Sequence, residues 1–523
     1  MRLITLTDVK LSIEQPESTL FKIAEKKLGR TPAYFKICKK SLDARKKEDV
    51  KYVYTIQFSS SPVKQEKEEI EKLSKGKIPT APVMVVGSGP AGLFCALRLI
   101  QRGITPIIIE RGAPVEEREK DIKVFSQTGT LNTESNVQFG EGGAGTFSDG
   151  KLNTQTHSPL HSEVLQTFFK FGAPEEILYV NKPHIGSDYL KSVVKNMRNY
   201  LIEKGAKVLF YTRLDDIVIK NNEVVGVKCT CVKTGKTEIY DVSALVLAIG
   251  HSARDTFTWL LRRGVTMRQK DFAVGVRIEH LQQKISMAQY GKAYAKLPAA
   301  DYKLVSHTGD RSAFTFCMCP GGYVMPSSSE ENAVVTNGMS NFARDNVNAN
   351  SALIAQVTRA DFKDDSALAG VEFQRELERK AYLFGGGNYF APVQRVEDFL
   401  HDRISSSFGE VRPTYPIGTT FANLLDILPI KVVTALKTAL LDMDRKLQGF
   451  AHPDALLTGV ETRTSSPIRI ERDKDSLQSV STIGLFPCGE GAGYAGGITS
   501  SATDGIRVAD AVYRHFALSL SKN

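Results

Sequence analysis

The first sixty residues alternate between apolar and polar positions in the pattern of a small α+β unit. Residues 2–13 alternate as a β-strand does, and a helix with Ser18 as its N-cap follows. Further strands are predicted over 33–38 and 52–58. This order predicts a βαββ module over residues 1–78.

After residue 80 the hydrophobic pattern becomes that of a strand, a turn, a helix and a second strand. A charged helix predicted over 66–73 and a linker over 75–79 lead into it. Residues 83–86 form an apolar strand, and the second strand ends at Glu110. Alternating strands and helices of this kind are typical of doubly wound α/β domains.

The rest of the chain continues this domain, leaves it and returns to it. Helices are predicted over 160–171, 188–204, 352–357, 373–382, 430–445 and 498–515. Strands are predicted over 207–211, 244–250, 272–279, 312–319, 333–337 and from 485, with a meander of strands over 216–240. The predicted fold class is therefore α/β: a discontinuous Rossmann-like domain (80–271 and 471–523), an inserted α+β substrate or cap domain (272–470) and the N-terminal module.

The composition is that of a water-soluble globular chain. Of the 523 residues, 42% are hydrophobic and 24% are charged, and no eighteen apolar residues follow one another. The start of the chain shows no secretory pattern, and seven cysteines without a regular framework are typical of a reducing compartment. We expect a cytoplasmic protein without membrane segments, and no spacing indicates a metal site.

The positive charge is concentrated at the start of the chain. Residues 1–80 carry 18 Lys and Arg against 11 Asp and Glu, a charge of +7, whereas the other 443 residues carry +3. The run over 39–47 would attract nucleic acid or an acidic protein, with Tyr52 and Tyr54 available to stack bases. A solvated surface is the alternative interpretation.

A glycine motif opens the Rossmann-like domain. Gly87 allows a tight turn after the strand, Gly89 allows backbone to approach a pyrophosphate, and Gly92 allows the helix to lie against the sheet. The helix N-terminus then faces the phosphates. Glu110 stands where an acid meets a ribose 2′-hydroxyl.

Three further glycine-rich segments follow at 139–151, 246–251 and 485–505. The second ends a strand, and ligands of doubly wound sheets lie beyond the carboxyl ends of strands. The third offers a second helix N-terminus to an electron-rich ligand. NAD needs one such terminus, whereas the longer FAD needs several binding segments, so the set of segments predicts FAD.

These segments resemble the two-dinucleotide-binding-domain flavoproteins of the glutathione-reductase superfamily, over about 80–270 and 480–515. The resemblance implies that Gly87, Gly89 and Gly92 hold the FAD pyrophosphate, Glu110 the adenosine ribose, and Glu490 the ribityl chain or pyrophosphate. It places Gly497 to Thr499 at the flavin N1 and O2 edge, where a positive helix end stabilises reduced flavin. The predicted cofactor-binding set is Gly87, Ser88, Gly89, Pro90, Ala91, Gly92, Glu110, Arg111, Gly142, Gly143, Ala144, Gly250, Gly489, Glu490, Gly497, Ile498 and Thr499.

The whole chain also resembles a group of uncharacterised bacterial FAD-dependent dehydrogenases. The resemblance rests on segments 40–45, 139–150, 250–256, 316–322, 459–467 and 489–497. It implies a cofactor and a reaction class without a substrate.

Three side chains are candidates for chemistry on a substrate. His251 follows a strand-terminal glycine and would act as general acid or base, or else bond to its loop. Cys317, with Cys319, would form a redox thiol only if the following Pro-Gly-Gly turn bends the chain, and both are otherwise buried small hydrophobes. Arg463 would receive a carboxylate or phosphate, or else belong to a network at the strand end.

The predicted function is an FAD-dependent oxidoreductase, a dehydrogenase or reductase that exchanges hydride between flavin N5 and an unidentified organic substrate. No second glycine motif follows in the 160 residues after the first, so NAD(P)H would bind only transiently. A flavin monooxygenase is the alternative among enzymes. A flavoprotein whose basic N-terminal module binds RNA or a partner protein is the alternative from another class.

Overall fold

The structure is a computed structural model that describes residues 3–63, 70–74, 78–154 and 158–519. Positions 66–69 of the predicted helix 66–73 lie outside the described residues, and positions 70–73 are not helical. Positions 75–77 of the predicted linker also lie outside them. Within the described ranges no helix has both the length and the apolar character needed to cross a membrane.

The strands, in chain order, are β1 (Ile4–Ser12), β2 (Tyr34–Asp43), β3 (Lys51–Ser59), β4 (Val83–Val86), β5 (Ile107–Ile109), β6 (Lys207–Leu209), β7 (Thr212–Lys220), β8 (Glu223–Cys231), β9 (Thr237–Asp241), β10 (Ala244–Leu247), β11 (Met267–Gln269), β12 (Phe272–Leu281), β13 (Val305–Ser306), β14 (Ala313–Cys319), β15 (Tyr323–Pro326), β16 (Thr336–Met339), β17 (Asn348–Val357), β18 (Ala391–Arg395), β19 (Thr419–Phe421), β20 (Leu456–Glu461), β21 (Ile468–Ile470) and β22 (Leu485–Pro487).

The α-helices are α1 (Ser18–Leu28), α2 (Pro90–Gln101), α3 (Val115–Thr128), α4 (Leu160–Lys170), α5 (Ser187–Glu203), α6 (Arg254–Arg262), α7 (Gln282–Tyr290), α8 (Ala369–Phe384), α9 (Val396–Leu400), α10 (Ile430–Lys446) and α11 (Ile498–Ser519).

The N-terminal module is the predicted βαββ unit. Its antiparallel sheet has the order β1-β3-β2, and α1 packs its apolar face on that sheet. Ser18 is the first residue of α1 rather than its cap, because Glu17 is the N-cap and no side chain caps the helix. Tyr54 is only 2% exposed and donates its hydroxyl to Glu17, so it cannot stack a base as the sequence suggested.

The parallel-sheet domain contains five strands in the order β22-β10-β4-β5-β6. Strand β22, from the end of the chain, pairs with β10 in parallel, which makes the domain discontinuous as predicted. Helices α2 and α11 cross in close contact beside this sheet. Gly505 has no room for a side chain there, since a Cβ would lie 2.1 Å from the carbonyl oxygen of Ala91. The predicted meander is the antiparallel sheet β7-β8-β9.

The inserted domain is built on a seven-stranded sheet of order β13-β14-β17-β12-β20-β18-β19, which α10 covers. The helix predicted over 352–357 is wrong, since these residues belong to β17 at the centre of this sheet. Strand β17 is buried on both faces, and such a strand has a continuous apolar run that does not differ in periodicity from a buried helix. The strand predicted over 333–337 begins at Thr336.

A buried ionic network joins these two domains. Glu378 of α8 accepts two hydrogen bonds from Arg254 of α6, at 2.7 and 2.8 Å, and further bonds from Arg463, which follows β20. All three side chains are buried. Burial alone would raise the pKa of Glu378, but the two guanidinium groups hold it well below the usual range. The domains are therefore connected by an ionised carboxylate between two cations.

We predict that Glu378→Gln lowers the free energy of unfolding by about 3–5 kcal/mol, because the buried Arg463 loses its paired carboxylate and Arg254 keeps only Glu330. Glu376→Gln on the same helix is the control. Among the described residues Glu376 forms its ion pairs with the exposed side chains of Lys363 and Lys380, so the change should alter stability by less than about 0.5 kcal/mol. Denaturant unfolding measures both variants.

The pH dependence of this difference follows from the depressed pKa of Glu378. The stabilisation is present above the carboxyl pKa of the unfolded chain, about 4, and declines as the pH falls toward the lower folded value. The difference in the free energy of unfolding between wild type and Glu378→Gln should therefore become smaller in acid. A difference that does not change between pH 3 and about 7 would contradict this account.

Candidate functional site

A large cavity lies between the parallel-sheet domain and the inserted domain. It encloses about 1570 Å³ of empty space, open solvent at its mouth included. We call it the chamber. All four glycine-rich segments of the sequence contribute to its wall. A cavity walled by backbone from four glycine-rich segments suits an extended dinucleotide.

Most of the predicted cofactor-binding residues line the chamber. They are Gly87, Gly89, Pro90, Ala91, Glu110, Arg111, Gly143, Ala144, Gly250, Glu490, Gly497 and Ile498. Five others lie behind its wall: Ser88, Gly92, Gly142, Gly489 and Thr499. Thr499 donates its hydroxyl to the carbonyl of Leu152, and Gly489 donates its N–H to Asp504, so these residues support the loops that form the wall.

The three glycines of the first motif have different roles in the protein itself. A Cβ at Gly87 would lie 2.3 Å from the carbonyl oxygen of Ala248, and one at Gly92 would lie 1.9 Å from that of Gly87. A Cβ at Gly89 would meet nothing closer than 3.7 Å, and its φ of −71° is open to any residue. The protein therefore needs glycine at 87 and 92, whereas a Cβ at 89 would make only ordinary contact with Gly143 and is compatible with the fold.

Two helix N-termini point their free backbone groups at this region. Helix α2 begins at Pro90 with Gly89 as N-cap and has no side-chain cap. Helix α11 begins at Ile498, after Gly496 and Gly497, where an added Cβ would meet nothing within 4 Å. Open backbone at both positive helix ends suits a pyrophosphate and an electron-rich ring, so the residues present fit FAD.

Glu110 connects three loops around the chamber. Its Oε2 accepts hydrogen bonds from the backbone and hydroxyl of Ser88, at 3.0 and 2.8 Å. Its Oε1 accepts from the backbone N–H groups of Gly112 and Gly140, both at 3.0 Å. A carboxylate offers about four acceptor sites, so a ribose hydroxyl would have to share one of them. The acid that the sequence assigned to the ribose thus also organises the site.

His251 and Glu490 form a pair on the wall of the chamber. The ring Nδ1 of His251 lies 3.0 Å from Oε1 of Glu490, which joins the end of β10 to the loop after β22. The ring Nε2 is buried and has no hydrogen-bond partner among the described residues. With Nδ1 engaged by the carboxylate, Nε2 is left to form a hydrogen bond with a ligand.

Cys317 and Cys319 lie on the opposite wall and are not joined by a disulfide. The pairing of β14 with β17 shifts register between Phe316 and Cys319, and Cys317 has a φ of +41°. Cys317 is exposed and lines the chamber, and desolvation by the surrounding protein raises the pKa of its thiol to about 12. Cys317 is therefore a neutral thiol near pH 7 rather than a thiolate nucleophile.

Arg463 does not offer a free guanidinium fork to a substrate. Its Nε and Nη2 donate to Glu378 at 3.1 and 2.9 Å, and its Nη1 donates to the hydroxyls of Ser252 and Ser329. The predicted receptor for a carboxylate or phosphate is thus occupied by the protein. The contacts of Arg463 are those of the alternative prediction, in which Arg463 belongs to a network of protein groups beside the strand.

Sequence reasoning did not single out four charged residues of the chamber wall: Asp149, Lys151, Arg213 and Glu461. Glu461 is the last residue of β20, a strand that is buried along its whole length. A buried strand that ends in an acid was the available signal. Lys151 closes the second glycine-rich segment and donates to the carbonyl of Met318 in the inserted domain.

Family models match three parts of the chain. An FAD binding domain matches residues 80–127, an "FAD-dependent protein, C-terminal domain-like" family matches 271–464, and a domain of unknown function matches 3–59. The predicted FAD-binding domain is confirmed, and this is an FAD-dependent protein. The resemblance to the glutathione-reductase superfamily stays a prediction.

A protein of Clostridium beijerinckii, described as uncharacterized, is 46% identical to this chain over 98% of the chain and 99% of its own length. Among solved structures, glycerol-3-phosphate dehydrogenase from Bacillus halodurans, complexed with FAD, is 13% identical over 84% of this chain and 65% of its own, with a TM-score of 0.37. The quinol fumarate reductase FrdA of E. coli is 13% identical over 84% and 71%, with a TM-score of 0.38. Scores this low carry no argument about function.

We predict that Gly89→Ala leaves stability unchanged but weakens FAD binding at least about tenfold. Its methyl group would stand on the chamber wall at the N-terminus of α2, where backbone has to approach the pyrophosphate. Gly92→Ala is the matched variant. Its methyl group would meet the Gly87 carbonyl, so it should lower stability by about 1–3 kcal/mol despite the better helix propensity of alanine. Flavin fluorescence titration and thermal unfolding separate the two effects, and equal FAD affinity in Gly89→Ala and wild type would contradict the assignment.

Proposed function

The chain belongs to one family with the Clostridium beijerinckii protein, and from that premise we propose that it is an FAD-dependent oxidoreductase that exchanges hydride with an organic substrate held in the chamber. The observation that carries the proposal is the convergence of the glycine loops from both ends of the domain on one cavity. Bound FAD would supply the hydride chemistry at its N5 atom.

The residues of the parallel-sheet domain would bind and orient the cofactor. The N-terminus of α2, with the open backbone at Gly89, would hold the pyrophosphate. The N-terminus of α11 would lie at the pyrimidine edge of the ring, where its positive end favours negative charge. The inserted domain would close the other side of the chamber with β14 and the segment after β20, and so keep water from the reacting carbon.

We assign His251 to the cofactor. Its ring belongs to the parallel-sheet domain, next to Gly250 and Glu490, and Glu490 fixes the ring orientation. The open Nε2 would accept a hydrogen bond from a hydroxyl of the ribityl chain. Glu490 would then act on the cofactor through the histidine.

The spectrum of the protein reconstituted with FAD tests the proposal. A yellow protein whose absorbance near 450 nm, roughly the flavin maximum, is bleached under anaerobic conditions by at least one organic compound is the expected result. NADH and NADPH belong in the same panel as alternative reductants. A protein that stays colourless with excess FAD, or a bound flavin that no compound reduces, would overturn the proposal. A peroxyflavin absorbance after mixing reduced protein with oxygen would favour a monooxygenase.

We predict that His251→Ala weakens FAD binding about tenfold, which corresponds to about 1.4 kcal/mol for a lost buried hydrogen bond. Fluorescence titration of apoprotein with FAD measures the change. His515→Ala, outside the chamber, is the control and should leave the affinity unchanged. Unchanged FAD affinity together with loss of flavin reduction would instead assign His251 to proton transfer.

A further inference from the structure

One carboxyl group of the inserted domain faces the chamber with half of its hydrogen-bonding capacity unused. Glu461 is 4% exposed and lines the chamber beside Cys317 and Cys319. Its Oε1 lies 3.4 Å from Nη1 of Arg277, which is a long contact. Its Oε2 is buried without a hydrogen-bond partner among the described residues. A buried, unpartnered carboxyl oxygen in a cavity wall is unusual unless a ligand meets it.

Arg277 holds this carboxyl group in a fixed place. Its Nε and Nη2 donate to Oδ1 of Asn350, at 3.1 and 2.8 Å, and its Nη2 donates to the carbonyl of Cys317 at 2.9 Å. A Cβ at Gly338 would lie 1.8 Å from Nη2, so this position is kept clear for the guanidinium group. Because Arg277 donates most of its hydrogen bonds to Asn350 and Cys317, it positions Glu461 without forming a tight ion pair with it.

The surroundings leave Glu461 able to gain and lose a proton near neutral pH. Burial raises its pKa to about 7, and Arg277 limits that rise. The titratable groups that face it are Arg277 from β12 and the thiol of Cys317 from β14, whose own pKa is raised to about 12. Arg463, two residues further, is paired with Glu378. Lys151 faces the cysteines from the second glycine-rich segment.

We propose that Glu461 is the catalytic acid–base of this enzyme and that its substrate is an alcohol. In the oxidative direction the O–H bond of the alcohol breaks and its proton passes to the Glu461 carboxylate. The adjacent C–H bond would give its hydride to bound FAD, and the substrate would leave as a carbonyl compound. The two electrons and two hydrogens of the alcohol are thus accounted for. This inference rests on the proposed function.

The charges of this wall favour an alcohol over an amine. Three cations, Arg277, Lys151 and Arg344, and one anion, Asp149, lie beside Cys319 next to Glu461, so a protonated amine would meet a net positive charge there. A neutral alcohol, or one that carries a carboxylate, meets no such repulsion. The reverse reaction would use the protonated carboxyl group as the proton donor to a carbonyl oxygen.

Glu461→Gln tests the proposal, because glutamine keeps the shape and the contact with Arg277 but carries no exchangeable acid. Reconstituted enzyme is mixed anaerobically with a panel of primary and secondary alcohols, 2-hydroxy acids and amines, and flavin bleaching is followed by stopped flow. We expect Glu461→Gln to bind FAD as wild type does and to slow reduction by about 10²–10⁴-fold. Glu461→Asp should recover part of the rate.

A second readout needs neither FAD nor substrate. The infrared band of the protonated carboxyl group is titrated in apoprotein, and the wild-type minus Glu461→Gln difference isolates Glu461 from Glu141, whose pKa burial also raises to about 7. We expect the difference band to disappear with a midpoint near the pKa of about 7. Glu279→Gln is the control, since Glu279 is buried on β12 outside the chamber, and it should leave the reduction rate within about twofold of wild type.

The outcomes are distinct. A Glu461→Gln enzyme that is reduced as fast as wild type, or a difference band absent from pH 5 upward, would overturn the role of Glu461. Faster reduction by amines than by alcohols would overturn the substrate class. A wild-type flavin that no member of the panel reduces would overturn the proposed function and with it this inference, even if the infrared titration gives the expected midpoint.

Discussion

The parallel pairing of β4, β10 and β22 is the interaction on which the rest of this structure depends. Strand β10 pairs with β4 on one side and with β22 on the other, and all three run in the same direction. Their carboxyl ends therefore lie at one edge of the sheet, although β4 and β22 are about four hundred residues apart in the chain. The loops that follow them, and the helices α2 and α11, can only begin at that edge. The chamber exists because this pairing closes the domain.

The glycines around the chamber serve two different purposes, close packing of the backbone and access for a ligand. Gly87 and Gly92 leave no room for a Cβ because backbone oxygens occupy the space, and Gly505 does the same where α11 crosses α2. Gly89, Gly496 and Gly497 line the chamber, and an added Cβ would meet nothing within 4 Å at 496 and 497 and only Gly143, at 3.7 Å, at 89. The first group allows the two helices to reach the sheet edge, and the second leaves backbone groups accessible there. Glycine is thus required for two physical reasons, close packing of the backbone and exposure of backbone groups to a ligand.

Two buried carboxyl groups of the inserted domain differ in their partners rather than in their burial. Glu378 accepts short hydrogen bonds from Arg254 and Arg463, and these cations keep it ionised against the cost of burial. Glu461 has one long contact with Arg277, and burial prevails, so its pKa rises to about 7. The first carboxylate connects the domains. Glu461 is the group that we assign to proton transfer. It lies in the chamber wall, which the ionic network of Glu378 holds in place.

The sequence by itself determined the elements whose periodicity is strong and the loops whose composition is unusual. The βαβ unit around Gly87, the N-terminal module, α11 and the FAD-binding domain were all predicted from local pattern, because apolar periodicity and glycine turns are local properties. Strand β17 was predicted as a helix because a strand buried on both faces has no alternation to reveal it. Only the tertiary structure decided which charges meet. It placed Glu378 against Arg463 and left Glu461 facing the chamber, because hydrogen-bond partners and burial depend on contacts between residues that are far apart in the chain.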